Sequence, residues 1–356
     1  MNSLVLTLTE TLRYRGAIGQ WSWVLHRISG LGVVLFLTLH VIDTSWAVFY
    51  PGLYEEAIAA YQSPLFTLGE FALIACVIFH AYNGIRIVIF DYNPRLWKHQ
   101  ERAAWVAVGL TFLTMIPTFA IMIADVLEHY SKGDAFVLSL DKVLLGQLPF
   151  AVGIAAAIVG AVLLSGVVGL ITGNDDVSGG KATGSRLERF WWSYMRTSGL
   201  LIVPLVFGHL AMMHLIQGVF NLTAAGHTIV GTNGLVNVSG TAVEFVLARW
   251  NTSLAGAGQG IGIWKIYDIG LLLLVTVHGF NGLRYVLTDY TSSNPLLKRA
   301  AVYLCMIGAV VLLVVGAAAL LSSVDMTTRD LACEAQQHLG RTMEQLSDYC
   351  RAIVSQ

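Results

Sequence analysis

The chain has 356 residues, 56% of them hydrophobic and 12% charged, with a formal net charge of −1 and a mean hydropathy of +0.67. That composition excludes an ordinary soluble domain and points to an all-α, polytopic transmembrane helical bundle. The four cysteines form no C-x-x-C pair, and neither a glycine-rich phosphate loop nor a basic nucleic-acid patch occurs, so the chain offers no iron–sulfur or zinc cradle and no nucleic-acid partner.

Runs of about 20 apolar residues predict seven spans, at 24–48, 66–90, 103–127, 148–172, 198–221, 264–288 and 300–322. Residues 1–20 are polar and carry no cleavable signal pattern. Basic residues gather on alternate connections. Arg13, Arg15 and Arg27 precede the first span, Arg95, Lys98 and Arg102 separate the second and third, and Lys181, Arg186, Arg189 and Arg196 precede the fifth. Lys298 and Arg299 separate the sixth and seventh. The positive-inside rule then sets the N-terminus in the cytoplasm and the C-terminus outside, with a bacterial cell membrane as the expected location.

Two internal repeats organise the chain. His80-Ala81-Tyr82-Asn83-Gly84-Ile85-Arg86, running on to Asp91-Tyr92, recurs as His278-Gly279-Phe280-Asn281-Gly282-Leu283-Arg284, running on to Asp289-Tyr290. At about 100° per residue, His80, Asn83, Gly84, Ile87 and Asp91 share one helical stripe, with the His about 16 Å from the Asp. Arg27-Ile28-Ser29-Gly30 followed by His40 recurs as Arg196-Thr197-Ser198-Gly199 followed by His209; Ser29 and His40 share a face, as do Ser198 and His209. The spans therefore read as two parallel three-helix units, residues 1–130 and 181–324, joined by a linking helix within 131–180. The fourth span, without an interior ionisable residue, supplies the extra crossing. Residues 222–263 read as a long loop with a hairpin lid, and 325–356 as an extracytoplasmic helical tail. A Cys333–Cys350 disulfide would need a bend there, for which Gly340 is the candidate.

Ionisable groups inside a bilayer are costly and by default functional. Four histidines lie within the spans and pair by repeat, His80 with His278 and His40 with His209. Two neutral imidazoles from facing helices make a six-coordinate haem iron. Haem b is thus the expected cofactor, two groups or at least one, with His214 as an alternative ligand to His209. Gly84 and Gly282, four residues after their histidines, would leave room for a porphyrin plane, and Arg86 and Arg284 could pair with its propionates. His26 is expected near a propionate or a quinone rather than on iron. A repeat-built transporter with a His/Asp proton relay is a rival, weakened by spans that read as unbroken; a haem-less docking scaffold is another.

These motifs resemble the two membrane-anchor subunits of succinate dehydrogenase (succinate:quinone oxidoreductase) joined end to end. The first anchor is matched by His26-Arg27-Ile28-Ser29-Gly30, His80-x-x-x-Gly84-Ile85-Arg86 and Asp91, the second by His278-x-x-x-Gly282 and Leu287-Thr288-Asp289-Tyr290. The resemblance implies electron transfer from an iron–sulfur subunit, fed by a flavoprotein subunit, to a membrane quinone at the cytoplasmic face. Fumarate reduction by the same machinery, or another di-haem cytochrome b, is the alternative. It assigns Arg27, Asp289 and Tyr290 to the quinone, for charge stabilisation, proton relay and hydrogen bonding to a carbonyl. A Ser that the family often places three residues before the His-Arg pair is Trp23 here, leaving Ser22 or Ser29 to substitute. The family also implies that the His80/His278 haem is nearer that quinone, that a second haem goes with menaquinone, and leaves a homotrimer of complexes open.

Overall fold

The structure, a computed structural model, describes residues 16–131, 140–172, 186–252, 262–322, 326–339 and 341–355. Arg13, Arg15, Lys181 and Gly340 lie outside the described residues. Among the described residues seven helical segments are long and apolar enough to cross a membrane, and each coincides with a predicted span. They are α1 (Ile18–Phe49), α3 (Pro64–Tyr92), α4 (Gln100–Ser131), α5 (Leu140–Thr172), α6 (Arg186–Leu210), α8 (Ile263–Thr291) and α9 (Pro295–Leu321). Shorter helices are α2 (Pro51–Tyr61), α7 (Ala242–Asn251), α10 (Met326–His338) and α11 (Asp348–Val354).

Local chemistry sets the boundaries. Proline opens α2, α3 and α9, where its missing N–H has no helical partner to lose. Asn294 caps α9 by accepting the Leu297 N–H at 3.2 Å. The fifth span is not uniformly α-helical: α6 passes into a π-helical stretch, Ala211–Ile216, so one of the spans expected to be unbroken changes its pitch.

Four helices form the centre. α1 packs on α3, α3 on α6, α6 on α8 and α8 back on α1, closing a ring. α4 lies outside against α3 and α1, and α9 against α8 and α1. Ile74 and Ile78 interlock with Met115 and Met122, and Phe280 with Cys305 and Leu312. α5, which has no ionisable residue within the predicted span 148–172, packs on α9, where Ser165 donates to the Leu296 carbonyl at 2.7 Å. Leu113, Ile116, Leu163 and Leu170 stay well exposed, as lipid-facing side chains do.

One end of the ring is open, bearing Arg27 and Asp289. The other is capped. There α2, α7 and α10 converge on a core of Tyr54, Ile58, Val243, Phe245, Trp250 and Ala332. Within 222–263 the described residues make a short antiparallel turn, bridged between Thr228 and Val236 with the Asn237 N–H donating to the His227 carbonyl at 2.9 Å, and then the helix α7, which the expected hairpin did not include. Thr241-Ala242-Val243-Glu244 has the sequence of a capping box, and Thr241 accepts the Glu244 N–H at 3.1 Å. Cys333 and Cys350 are joined as a disulfide with their Cα atoms 5.1 Å apart, α11 folding back on α10.

Candidate functional site

The ring of α1, α3, α6 and α8 encloses an apolar cavity of about 820 Å³, toward the upper end of the range for ligand sites. Arg27 and Arg196 line its open end, His26, His80, His278, His40 and His209 follow, and His214, Glu70, Arg249 and Asp268 line the capped end. All four histidines predicted as ligands therefore meet one space.

His80 and His278 are held alike. His80 Nδ1 lies 3.1 Å from the His26 carbonyl and 3.3 Å from Ser29 Oγ. His278 Nδ1 lies 2.9 Å from Ser198 Oγ. Ser198 spends its own proton on the Tyr194 carbonyl at 2.6 Å, so its oxygen can only accept from the imidazole. Ser29 likewise donates to the His26 carbonyl. Both rings are thus fixed as Nδ1–H tautomers, leaving Nε2 with its lone pair, the arrangement a metal-bound imidazole needs.

Glycine makes this approach possible. A Cβ at Gly30 would sit 2.9 Å from His80 Cε1, and one at Gly199 3.3 Å from His278 Cε1. Gly84 and Gly282, expected to leave room for a porphyrin plane, line the cavity without touching His80 or His278. Gly84 instead faces His26, and Gly282 faces Met195, each at 3.6 Å. His26 stacks on His80, ring centres 3.9 Å apart and planes 10° apart, and lines the same cavity.

His40 and His209 stand with ring centres 6.1 Å apart and planes at 77°. His209 Nδ1 is buried without a hydrogen-bond partner. His214, in the π-helical stretch, has its Nδ1 2.8 Å from Glu70 Oε1, so its imidazole is committed to a carboxylate. Of the two rivals, His209 is the one that faces His40. Arg86 and Arg284 are not brought to the cavity wall, because two residues beyond Gly84 or Gly282 the helix has turned about 200°. Arg284 hydrogen-bonds Asn281 Oδ1 at 3.0 Å, and Arg86 Nε and Nη1 are buried without partners.

The predicted quinone residues do converge. Arg27 forms an ion pair with Asp289, and its guanidinium lies 4.0 Å over the Trp23 ring and 6.0 Å from the centre of Tyr290. Of the serines expected to substitute for the residue at 23, Ser22 donates to the Gly19 carbonyl and Ser29 to the His26 carbonyl. A counterpart occurs in the other half. Arg196 meets Asp91 through Nε at 3.0 Å and Nη2 at 2.5 Å and lies 4.0 Å over Trp192. Each ion pair takes its arginine from one half of the chain and its carboxylate from the other. Sequence reasoning missed Ser198, Gly30 and Gly199 as partners of the imidazoles; the Ser-Gly pair repeated after each arginine was the signal. Among the described residues no three His, Cys, Asp or Glu side chains converge as a bare metal site.

Residues 8–118 match the family described as succinate dehydrogenase/fumarate reductase transmembrane subunit. The succinate dehydrogenase 2 membrane subunit SdhC of Mycobacterium tuberculosis (strain ATCC 25618 / H37Rv) is 35% identical over 135 residues, covering 36% of this chain and 99% of that protein. A succinate dehydrogenase hydrophobic membrane anchor subunit of Halobacterium salinarum is 29% identical over 104 residues, 28% of this chain and 80% of that protein. No solved structure matches this chain.

Proposed function

Because this chain belongs to the succinate dehydrogenase/fumarate reductase transmembrane subunit family, we propose that it is the haem b-bearing membrane anchor of such a complex. It carries electrons between an iron–sulfur subunit, served by a flavoprotein subunit, and a membrane quinone, with menaquinone favoured by a second haem. The observation that carries this reading is the matched pair of imidazoles, His80 and His278, with Nδ1 held by hydrogen bonds and Nε2 left as the lone-pair nitrogen beside one apolar cavity.

The residues present fit a porphyrin. The imidazoles are oriented in advance, glycine at 30 and 199 lets α1 and α6 close on them, and the walls are aliphatic. His40 and His209, with ring centres 6.1 Å apart, would supply a second pair. Haem b, when bound, supplies one-electron carriage across the apolar interior. The protein orients the ligands, excludes water from the ring and holds the charges at its open end. Arg27 presents a cation to a reduced quinone oxygen, Tyr290 a phenolic donor to a carbonyl, and Asp289 a carboxylate through which protons enter from water. The Trp23 ring covers one face of the guanidinium. The positive-inside rule places this end in the cytoplasm, beneath the iron–sulfur subunit.

A haem count on the purified complex by pyridine haemochrome, with His40→Ala and His80→Ala alongside, tests the reading. Two haems per chain are expected, each substitution removing one. A colourless wild-type complex overturns it.

A further inference from the structure

The capped end of the cavity holds a buried cation that no described carboxylate contacts as an ion pair. Arg249 is 6% exposed, on a helix outside the spanning segments, and lines the cavity. Its Nη1 lies 2.7 Å from Met213 Sδ and its Nη2 3.4 Å from Met212 Sδ, both weak acceptors. Nε is buried without any partner. Asp268 of α8 acts on Arg249 through space while accepting the Trp250 indole N–H at 3.0 Å, and no described carboxylate comes within ion-pairing distance of Arg249.

The position is built, not accidental. The guanidinium lies 4.5 Å from the Trp264 ring centre and 5.7 Å from that of Phe245. Trp264 is pinned by donating to the Gly231 carbonyl, and Gly231, at φ +80°, has no side chain because a Cβ would lie 2.6 Å from the Trp264 ring. Buried guanidinium groups are kept in proteins when an oxyanion completes them. Met212 and Met213 stand three and four residues beyond His209, in the π-helical stretch and within about one turn farther along the span. Arg249 therefore waits one turn capward of the His209 imidazole, inside the same cavity.

We propose that Arg249 binds a carboxylate of the porphyrin seated between His40 and His209, so that the extramembrane helix α7 closes over that haem with its own charge. This rests on the haem reading above and adds to it a binding residue drawn from outside the membrane-spanning helices. The chemistry required is an oxyanion, which a phospholipid phosphate could also supply; the experiment separates the two sources.

The intact complex is purified as wild type, R249Q and R249K, with His209→Ala to identify the signal of the outer haem. Haem per chain, the midpoint potential of each haem and the bound phospholipid are measured. R249Q either loses one haem per chain or keeps it with its reduction equilibrium weakened about tenfold, about 59 mV lower for one electron, since removing a cation disfavours the added negative charge. R249K restores the haem count. As a readout independent of assembly of R249Q, the redox-difference infrared band of carbon-13-labelled haem propionates shifts between wild type and R249K. The proposal is overturned if R249Q keeps both haems at wild-type potentials, with or without loss of a phospholipid, or if the propionate band is the same in R249K. A wild-type complex with a single haem overturns the second-haem reading itself.

Discussion

The Nδ1–H of His278 has one acceptor, Ser198 Oγ at 2.9 Å, whereas that of His80 has two, Ser29 Oγ at 3.3 Å and the His26 carbonyl at 3.1 Å. The two imidazoles therefore depend unequally on their serines. Removing an orienting partner of a metal-bound histidine typically costs about 10–100-fold in affinity. Ser198→Ala is expected to loosen the haem held by His80 and His278 by that order, and Ser29→Ala by less, in haem-release titrations of the complex. Equal effects would mean that the serines act by packing alone. The repeat makes both serines visible in the sequence, but it pairs each with the histidine eleven residues on along its own helix. The actual partner is on the next helix, and intrahelical periodicity carries no information about which neighbour a face will meet.

At the scale of elements, the spanning helices are legible because lipid demands long apolar runs, and all seven were placed by that signal. The cap was not. The helix α7 is short, lies within a Gly-rich stretch and is marked only by its capping box. What fastens it is a buried acid. Glu55 of α2 is 2% exposed and accepts the Val243 N–H at 2.8 Å, with Gln336 of α10 3.5 Å away. Burial pushes its carboxyl up to about 7 from an ordinary 4.5, against the opposing pull of those hydrogen bonds. The folded cap therefore holds this proton more tightly than the unfolded chain does. The associated stability is present below about pH 4.5 and is lost as pH rises to about 7, on the order of 3 kcal/mol over that window. Amide exchange at Val243 and Phe245 should quicken in native protein over this range after correction for intrinsic pH effects. In Glu55→Gln that dependence should vanish; its persistence would assign the proton to another group.

Taken as a whole, the molecule is a ring whose halves make the same contacts twice. Ser-Gly against His, aromatic under Arg, and Arg across to Asp all recur in the two halves. The grouping of Arg27, Asp289 and Tyr290 came from family resemblance, because residues 262 apart in the chain leave no spacing to read. The two ion pairs differ in one respect. Arg196 and Asp91 are 20% and 19% exposed, whereas Arg27 is 20% and Asp289 54% exposed. Dissolved ions screen a charge that water can reach and leave a sheltered one nearly untouched, the Debye length shrinking from about 10 Å at 0.1 M to about 3 Å at 1 M salt. A two-fold object thus answers ionic strength on one side only. Between those concentrations the Arg27 clasp loosens while the Arg196 clasp holds, and spin labels across each should register movement at the first and stillness at the second.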